Sequence, residues 1–423
     1  MAQRILFIHQ NFPGQFVHVA RELVRLGHDV VALGMRQDTR AVLGLRYMKY
    51  SVPSIRRASE VALAQDFEVK LARGRACAGA MVALQESGFA PDVIVAHPSW
   101  GEALFCKDIW PSAPLLVFAE FFYSTGSDFA FDPEFAHIGL EAKLRIRIKN
   151  SVHLHALSSA DAGYSPTQWQ RNQLPAEYRD RIHVVFDGID TGRVRPDHAA
   201  VIHLKRDNLT LAKGDEVITF VNRNLEPYRG FHVLMRALPE LLRERPNAHC
   251  LIVGGNEVSY GSRPKGGGSW REFMLREVGA KLPMDRVHFL GRLSHAGYLK
   301  VLQVSACHIY LTYPFVLSWS CLEAMSAGCV LVASATPPVQ EVIEDGSNGL
   351  LFDFFDTKAL VQHVASVLAD PIGHQPLAVR ARESVVARYD LKTYCLPRQI
   401  ELVLEHARQE SSVMLSQASG TAP

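Results

Sequence analysis

Short apolar runs alternate with segments of helical period along almost the whole chain, and this alternation limits the fold more than any other feature. Ile5–His9, Val30–Leu33, Val93–His97, Leu115–Phe118, Ala162–Ser165 and Ile182–Val185 read as strands apolar on both faces, and Phe16–Leu26 as a helix stopped by Gly27. Such strands must be covered on both sides, which helical crossovers do. The pattern predicts a parallel sheet in a doubly wound α/β domain. Glycine and charge break the rhythm from Asp187 to Pro196, and a polar stretch runs on to Asp215, so the linker is placed there. The alternation then restarts, with strands over Val217–Val221, His249–Val253, Val287–Leu290, Ala306–Leu311 and Cys329–Ala333 and helices between them, predicting a second doubly wound domain. The expected division is 1–195, 196–394, and a C-terminal helix within 395–423 that returns to the first domain and ends in a frayed tail from Ser411. The carboxyl edges of two such sheets, facing a central cleft, suit an enzyme with two substrates.

Charge and cysteine usage narrow the function. Lys and Arg total 45 against 43 Asp and Glu, a formal charge of +2. That lacks the basic excess of a protein whose affinity comes from nucleic-acid phosphates. The seven cysteines form no C-x-x-C and sit in apolar surroundings, which points to a reducing compartment. Arg4 leads at once into Ile5–Ile8, a stretch too short for a signal-peptide core, and no apolar run reaches membrane-spanning length. A cytoplasmic protein is expected. Leu140–Val152 mixes Lys143, Arg145, Arg147 and Lys149 with Leu144, Ile146 and Ile148; it is read either as a solvated helix face or as a peripheral contact with anionic lipid at the inner face of the cell membrane.

The fingerprints of dinucleotide, P-loop, hydrolase-elbow and zinc-peptidase chemistry are all missing, and no metal-ligand motif is present. What remains is a set of strand-to-helix loops. Gly14, after the first strand, frees backbone to approach a ligand, with Gln15 beside it. His97 ends the Val93 strand and Glu120 the Leu115 strand. In the second half, Arg223 and Arg229 bracket a loop and suit a diphosphate, because a guanidinium is always charged and donates in a planar fork. Gly254 and Gly255 follow a strand, and Gly261–Ser269 reads as a mobile or ligand-covering loop. Ser320 and Glu323 fit a capping box; alternatively Glu323 binds a vicinal diol while amides at the helix start face phosphate.

Taken together these loops resemble the family-4 glycosyltransferases, retaining nucleotide-sugar-dependent enzymes of the GT-B fold with two Rossmann-like domains. The resemblance covers nearly the whole chain. Asp187-Gly-Ile-Asp-Thr to Pro196 is similar to the family's interdomain segment; Arg223 with Arg229-Gly230 is similar to its donor-phosphate motif, an arginine replacing the lysine. Val287 to Ser294, with Gly291 and Leu293, resembles the loop framing the nucleotide base, and Glu323 to Ser334 the block whose glutamate binds the donor ribose. The resemblance implies His97 near the donor sugar, Gly14 below the pyrophosphate, and a metal-independent transfer without cofactor. The partners it implies are a UDP- or GDP-linked sugar and a glycan, glycolipid or small-molecule acceptor, in polysaccharide or glycoconjugate biosynthesis. Gln15 and Glu120 are candidate acceptor contacts. One departure stands out: where the family has a first glutamate, this chain has Phe315, so donor-sugar contacts would fall to the backbone of Val316, Leu317, Ser318, Trp319 and Ser320. Other readings are a nucleotide-sugar epimerase of the same fold and a catalytically quiet nucleotide-sugar-binding subunit.

Overall fold

The computed structural model describes residues 1–37, 44–52, 63–125, 130–135, 139–204 and 208–418. The chain forms two compact units. Unit 1 comprises Met1–Thr125, His137–Asp187 and Lys392–Pro423; unit 2 comprises Gly126–Ala136 and Gly188–Leu391. Each is a doubly wound α/β unit.

In unit 1 the strands are β1 (Arg4–Ile8), β2 (Asp29–Gly34), β3 (Arg46–Lys49), β4 (Val93–Ala96), β5 (Leu115–Phe118), β6 (Ala162–Ser165) and β7 (Ile182–Val184). They lie in the order β3-β2-β1-β4-β5-β6-β7, and every pairing is parallel. Side chains alternate across a strand, so Leu6 and Ile8 enter one core while Ile5 and Phe7 enter the other. The first core is closed by helix Gln65–Glu86 through Cys77, Met81 and Leu84; the second by helix Val17–Arg25 and by the C-terminal helix Leu396–Ala418 through Leu402, Val403 and Ala407. Burying one such side chain is worth about 1.5–3 kcal/mol. The central strands are therefore the costliest place for a polar substitution.

Unit 2 carries an antiparallel hairpin, β8 (Val201–Leu204) with β9 (Leu209–Ala212). Its parallel sheet follows: β10 (Val217–Asn224), β11 (His249–Gly255), β12 (Val287–Gly291), β13 (Cys307–Tyr310), β14 (Val330–Ser334) and β15 (Leu350–Phe352), ordered β12-β11-β10-β13-β14-β15. β10 outruns its apolar stretch, and its register against β11 shifts between Val221 and Asn224. A bulge of this kind re-aims side chains at the end of a strand.

The differences from expectation have local causes. The polar stretch before Asp215 is not a bare linker, because His203 and Thr210 pair across the β8–β9 hairpin at 3.0 Å. The chain enters unit 2 at Gly188, ahead of the composition shift's end, and six described residues upstream, 130–135, already belong to that unit. The tail expected to fray from Ser411 continues as helix to Ala418; its last residues, 419–423, lie outside the described ones.

Candidate active site

In unit 1 the adjacent strands β1, β4 and β5 deliver His9, His97 and Glu120 to one sheet edge. The His9 imidazole accepts the Asn11 amide at Nδ1 (2.9 Å), so Nε2 carries the proton and donates to Gln15 Oε1 at 2.9 Å. Gln15 Nε2 then donates to Glu120 Oε1 at 3.0 Å. His97 accepts the Ser99 amide at Nδ1, which leaves its protonated Nε2 3.5 Å from Glu120 Oε2 and without a hydrogen bond of good geometry. Burial lowers the His9 pKa to about 3, with His97 adding to the shift, so His9 is neutral. Burial works against ionisation of Glu120, but His97, Gln15 and His9 outweigh it and hold the carboxyl below its usual range.

Two expectations change here. His97 is wholly buried, stacked on Trp100 at 4.3 Å between ring centroids, so it presents no surface to a ligand; Glu120, 29 % exposed, brings the network to the surface. The space beside Gly14 is already taken. A Cβ there would lie 2.4 Å from His9 Nε2, and the residue's φ is +46°. The imidazole packed on this position by itself requires glycine.

In unit 2 the β10 bulge turns Arg223 outward, where it is exposed and has no side-chain partner among the described residues. Arg229 is the opposite case. It is 4 % exposed and donates Nη1 to Thr312 Oγ1 at 2.7 Å and to the Val316 carbonyl at 2.9 Å, with its guanidinium over the rings of Tyr260 and Phe315. The two arginines expected to act alike are therefore one free cation and one internal brace. Phe315 is buried against Tyr260 and Tyr228 at 4.9 and 5.5 Å, so it belongs to the packing beneath the loop.

Glu226, wholly buried and unremarked in the sequence, accepts the backbone amides of Ser259, Tyr260 and Gly261 at 3.0–3.1 Å. Three donors offset the cost of burying the charge. They also tie down the start of the glycine-rich loop. Its other end is fixed by a capping box between Ser269 and Glu272, and the Trp270 indole donates to the Ser262 carbonyl. The loop is anchored at both ends. Gly254 packs on Leu225, while Gly255 lies under Asn224 and Arg292, which are joined at 3.0 Å.

Of the two readings of Ser320 and Glu323, the capping box does not form. Helix Trp319–Ser326 has Ser318 as its N-cap, so Ser320 lies inside it, and no side chain caps it. Glu323 instead accepts the Tyr298 hydroxyl at Oε2 (2.7 Å) and meets His295 Nε2 at Oε1 (3.3 Å), with 14 % of its side chain exposed. The Ser318 amide is also committed, donating to the Tyr310 hydroxyl at 3.0 Å, and so is its hydroxyl. Trp319 and Leu293 are partly exposed, at 43 % and 38 %, near the carboxyl ends of β13 and β12, and Gly291 closes β12 with open space beside it. An exposed arginine, a pre-oriented carboxylate and exposed apolar side chains thus share one end of the sheet. That set can meet a phosphate, a diol and an aromatic base.

Comparison with known proteins agrees with this layout. Residues 26–194 match the profile described as glycosyl transferase family 4 group, and residues 202–384 the one described as glycosyl transferases group 1. Among curated relatives, the D-inositol 3-phosphate glycosyltransferase of Nocardia farcinica is 31 % identical over 232 residues, 53 % of this chain and 49 % of that protein. The chain spans about half the length of the curated relatives it matches. Among solved structures, sucrose-phosphate synthase from Thermosynechococcus elongatus superposes with a TM-score of 0.70 at 18 % identity, covering 99 % of this chain and 100 % of the other. Anabaena HepE in complex with UDP-glucose follows at 0.66 and 16 %, covering 95 % and 99 %. With one profile on each half and the GT-B fold throughout, the chain belongs to the family-4 glycosyltransferases.

Proposed function

We propose that the chain is a retaining glycosyltransferase that moves a sugar from a nucleoside-diphosphate sugar, UDP- or GDP-linked, to a hydroxyl of a glycan, glycolipid or small molecule. The observation that carries this reading is the pairing on one sheet end of a free Arg223 with a Glu323 carboxylate held in place by Tyr298. Arg223 takes the diphosphate, helped by the positive end of the dipole of helix Trp319–Ser326. Glu323 accepts hydrogen bonds from the ribose diol, and Gly291 and Leu293 frame the base. Arg229 acts from below, fixing the Thr312–Ser318 loop and adding positive charge under the leaving group.

On this reading the bond from the anomeric carbon to the diphosphate oxygen breaks while the acceptor hydroxyl attacks the same face. A diphosphate oxygen takes the hydroxyl proton. Stabilising the charge that develops on the leaving diphosphate supplies most of the rate. No protein nucleophile, cofactor or protein-held metal enters the proposal. In unit 1, Glu120 contacts the acceptor, and His97, His9 and Gln15 fix its orientation. Among the described residues no helix is long and apolar enough to cross a membrane. Helix Leu140–Lys149 exposes Leu140 and Leu144 beside Lys143 and Arg147, which suits a peripheral contact with anionic lipid and would place the work at a membrane face.

The test is Arg223→Ala with donor and acceptor screens. Transfer should be lost with the fold intact; unchanged transfer rates overturn the donor site. Phe315, buried where the family has a glutamate, favours one second reading, a nucleotide-sugar-binding subunit without turnover. It would show donor binding by thermal shift and no product with any acceptor.

A further inference from the structure

Residues 130–135 form a short piece of unit 2 that lies, in sequence, between two stretches of unit 1. Phe131 packs on Tyr313, Phe354 and Phe355 at 5.2–5.3 Å between centroids, Phe135 on His232 and Trp270 at 5.2 and 4.9 Å, and Glu134 meets Arg236 through two hydrogen bonds of 2.7 and 2.8 Å. These contacts already hold the segment. Yet Asp132, 2 % exposed, adds a carboxylate to the interior, where charge is costly unless fully satisfied.

Its partners tell what the charge is for. Oδ2 accepts the Tyr313 hydroxyl at 2.6 Å and His232 Nε2 at 3.0 Å, and Oδ1 accepts the Glu134 amide at 2.9 Å. Tyr313 follows Thr312, which Arg229 grips, and the Tyr313 amide donates to the Tyr228 carbonyl at 2.9 Å. His232 stands in the first turn of helix Phe231–Glu244, just after Arg229-Gly230. The loop carrying Arg229 and the loop from Thr312 to Ser318 are therefore braced twice, once by Arg229 and once by Asp132.

We propose that Asp132 is a positioning residue for the donor diphosphate site: by holding Tyr313 and His232 together it sets the spacing of the two loops that Arg229 bridges. The inference rests on the donor reading above. Removing one partner of a buried charged hydrogen bond leaves the other unsatisfied, and here the slack passes to Thr312 and Val316.

The experiment uses the full chain with Asp132→Asn, Tyr313→Phe and the double variant, titrated with UDP and GDP by calorimetry, with donor KM, kcat, melting temperature and hydrogen exchange of residues 312–320. Tyr313→Phe removes only a hydroxyl, so it keeps the test alive if Asp132→Asn folds poorly. The expected result is a rise of roughly tenfold in nucleoside-diphosphate Kd and donor KM with a smaller change in kcat, faster exchange over 312–320, and a double variant no worse than Asp132→Asn, since both changes break one bond. A lower melting temperature with Kd and exchange unchanged overturns the proposal and leaves Asp132 a plain anchor. If the wild type binds neither nucleotide and Arg223→Ala is silent, the donor reading falls by itself. Asp132 is then judged on exchange alone, where unchanged protection over 312–320 in both single variants refutes it.

Discussion

The Tyr298 hydroxyl donates to Glu323 Oε2 across 2.7 Å and holds the carboxylate away from the start of its own helix. Burial, and then the neighbouring Glu323 charge, raise the Tyr298 phenol well above its usual range, so it remains a donor at any pH at which the protein folds. Tyr298→Phe should free Glu323 to turn back toward the helix amides. Donor KM should rise about tenfold, the effect of losing one charged hydrogen bond, with kcat at saturating donor less affected. Initial rates over a donor series decide it, and an unchanged KM removes Glu323 from the ribose.

Arg223 is exposed and makes no side-chain hydrogen bond or ion pair among the described residues, so its removal should cost the fold almost nothing. The melting temperature of Arg223→Ala should match the wild type, as surface changes usually stay within ~0.5 kcal/mol. Transfer should fall by at least ~100-fold if the arginine carries the diphosphate charge. Thermal melting and a product assay on the same preparation separate the two effects.

Glu226 invites a stability measurement. Its Oε1 accepts the Ser259 amide and Oε2 those of Tyr260 and Gly261. Glu226→Gln keeps one acceptor oxygen and presents an NH2 group to the other amides. A loss of about 1–3 kcal/mol is expected in urea unfolding, with faster proteolysis in 256–268; equal stability would show that water replaces the carboxylate.

Acid sensitivity follows from three histidines. Burial lowers His9, His153 and His308 to about 3, far below the usual 6.5 of a free imidazole. Between those values the unfolded chain binds the proton and the folded one does not, so stability is fully present above about pH 6.5 and declines as pH falls toward 3. Each histidine steepens the decline by up to about 1.4 kcal/mol per pH unit. His308→Gln, which can keep the 2.8 Å bond to Thr219, should flatten the stability profile between pH 6 and 4.5 by about that slope. Denaturant titrations at several pH values check it, and an unaltered slope would mean that His308 is protonated in the fold.

How much of this was legible in the sequence differs from part to part. The central strands were readable because residues such as Ile5, Leu6, Phe7 and Ile8 are buried on both faces, which writes burial directly into composition. Helix Gln65–Glu86 was not, because its buried stripe includes Lys70 and Gly74 beside Cys77, Met81 and Leu84 and carries no apolar rhythm. At the site, the strand ends locate His97, Glu120 and Arg223, and the same argument applied to His9, which follows β1, finds the fourth member of the network of Gln15, His97 and Glu120. Of the two readings of Glu323 the cap fails because its partner, Tyr298, stands 25 residues away, and the brace that Arg229 forms is hidden in the sequence because Thr312 and Val316 stand 83 and 87 away. Local spacing sees only local competitors.

The chain passes from one unit to the other four times, and the C-terminal helix supplies Leu402, Val403 and Ala407 to the core of unit 1. Neither unit is a continuous stretch of sequence. A fragment ending at Asp187 would lose Leu402, Val403 and Ala407 from the core they share with Val93 and Val95, and a transplant of residues 188–391 would arrive without Phe131 and Asp132. Exchange of halves between relatives, a natural way to recombine donor and acceptor preferences, therefore succeeds only when the 130–135 segment travels with the second unit and the last helix stays with the first.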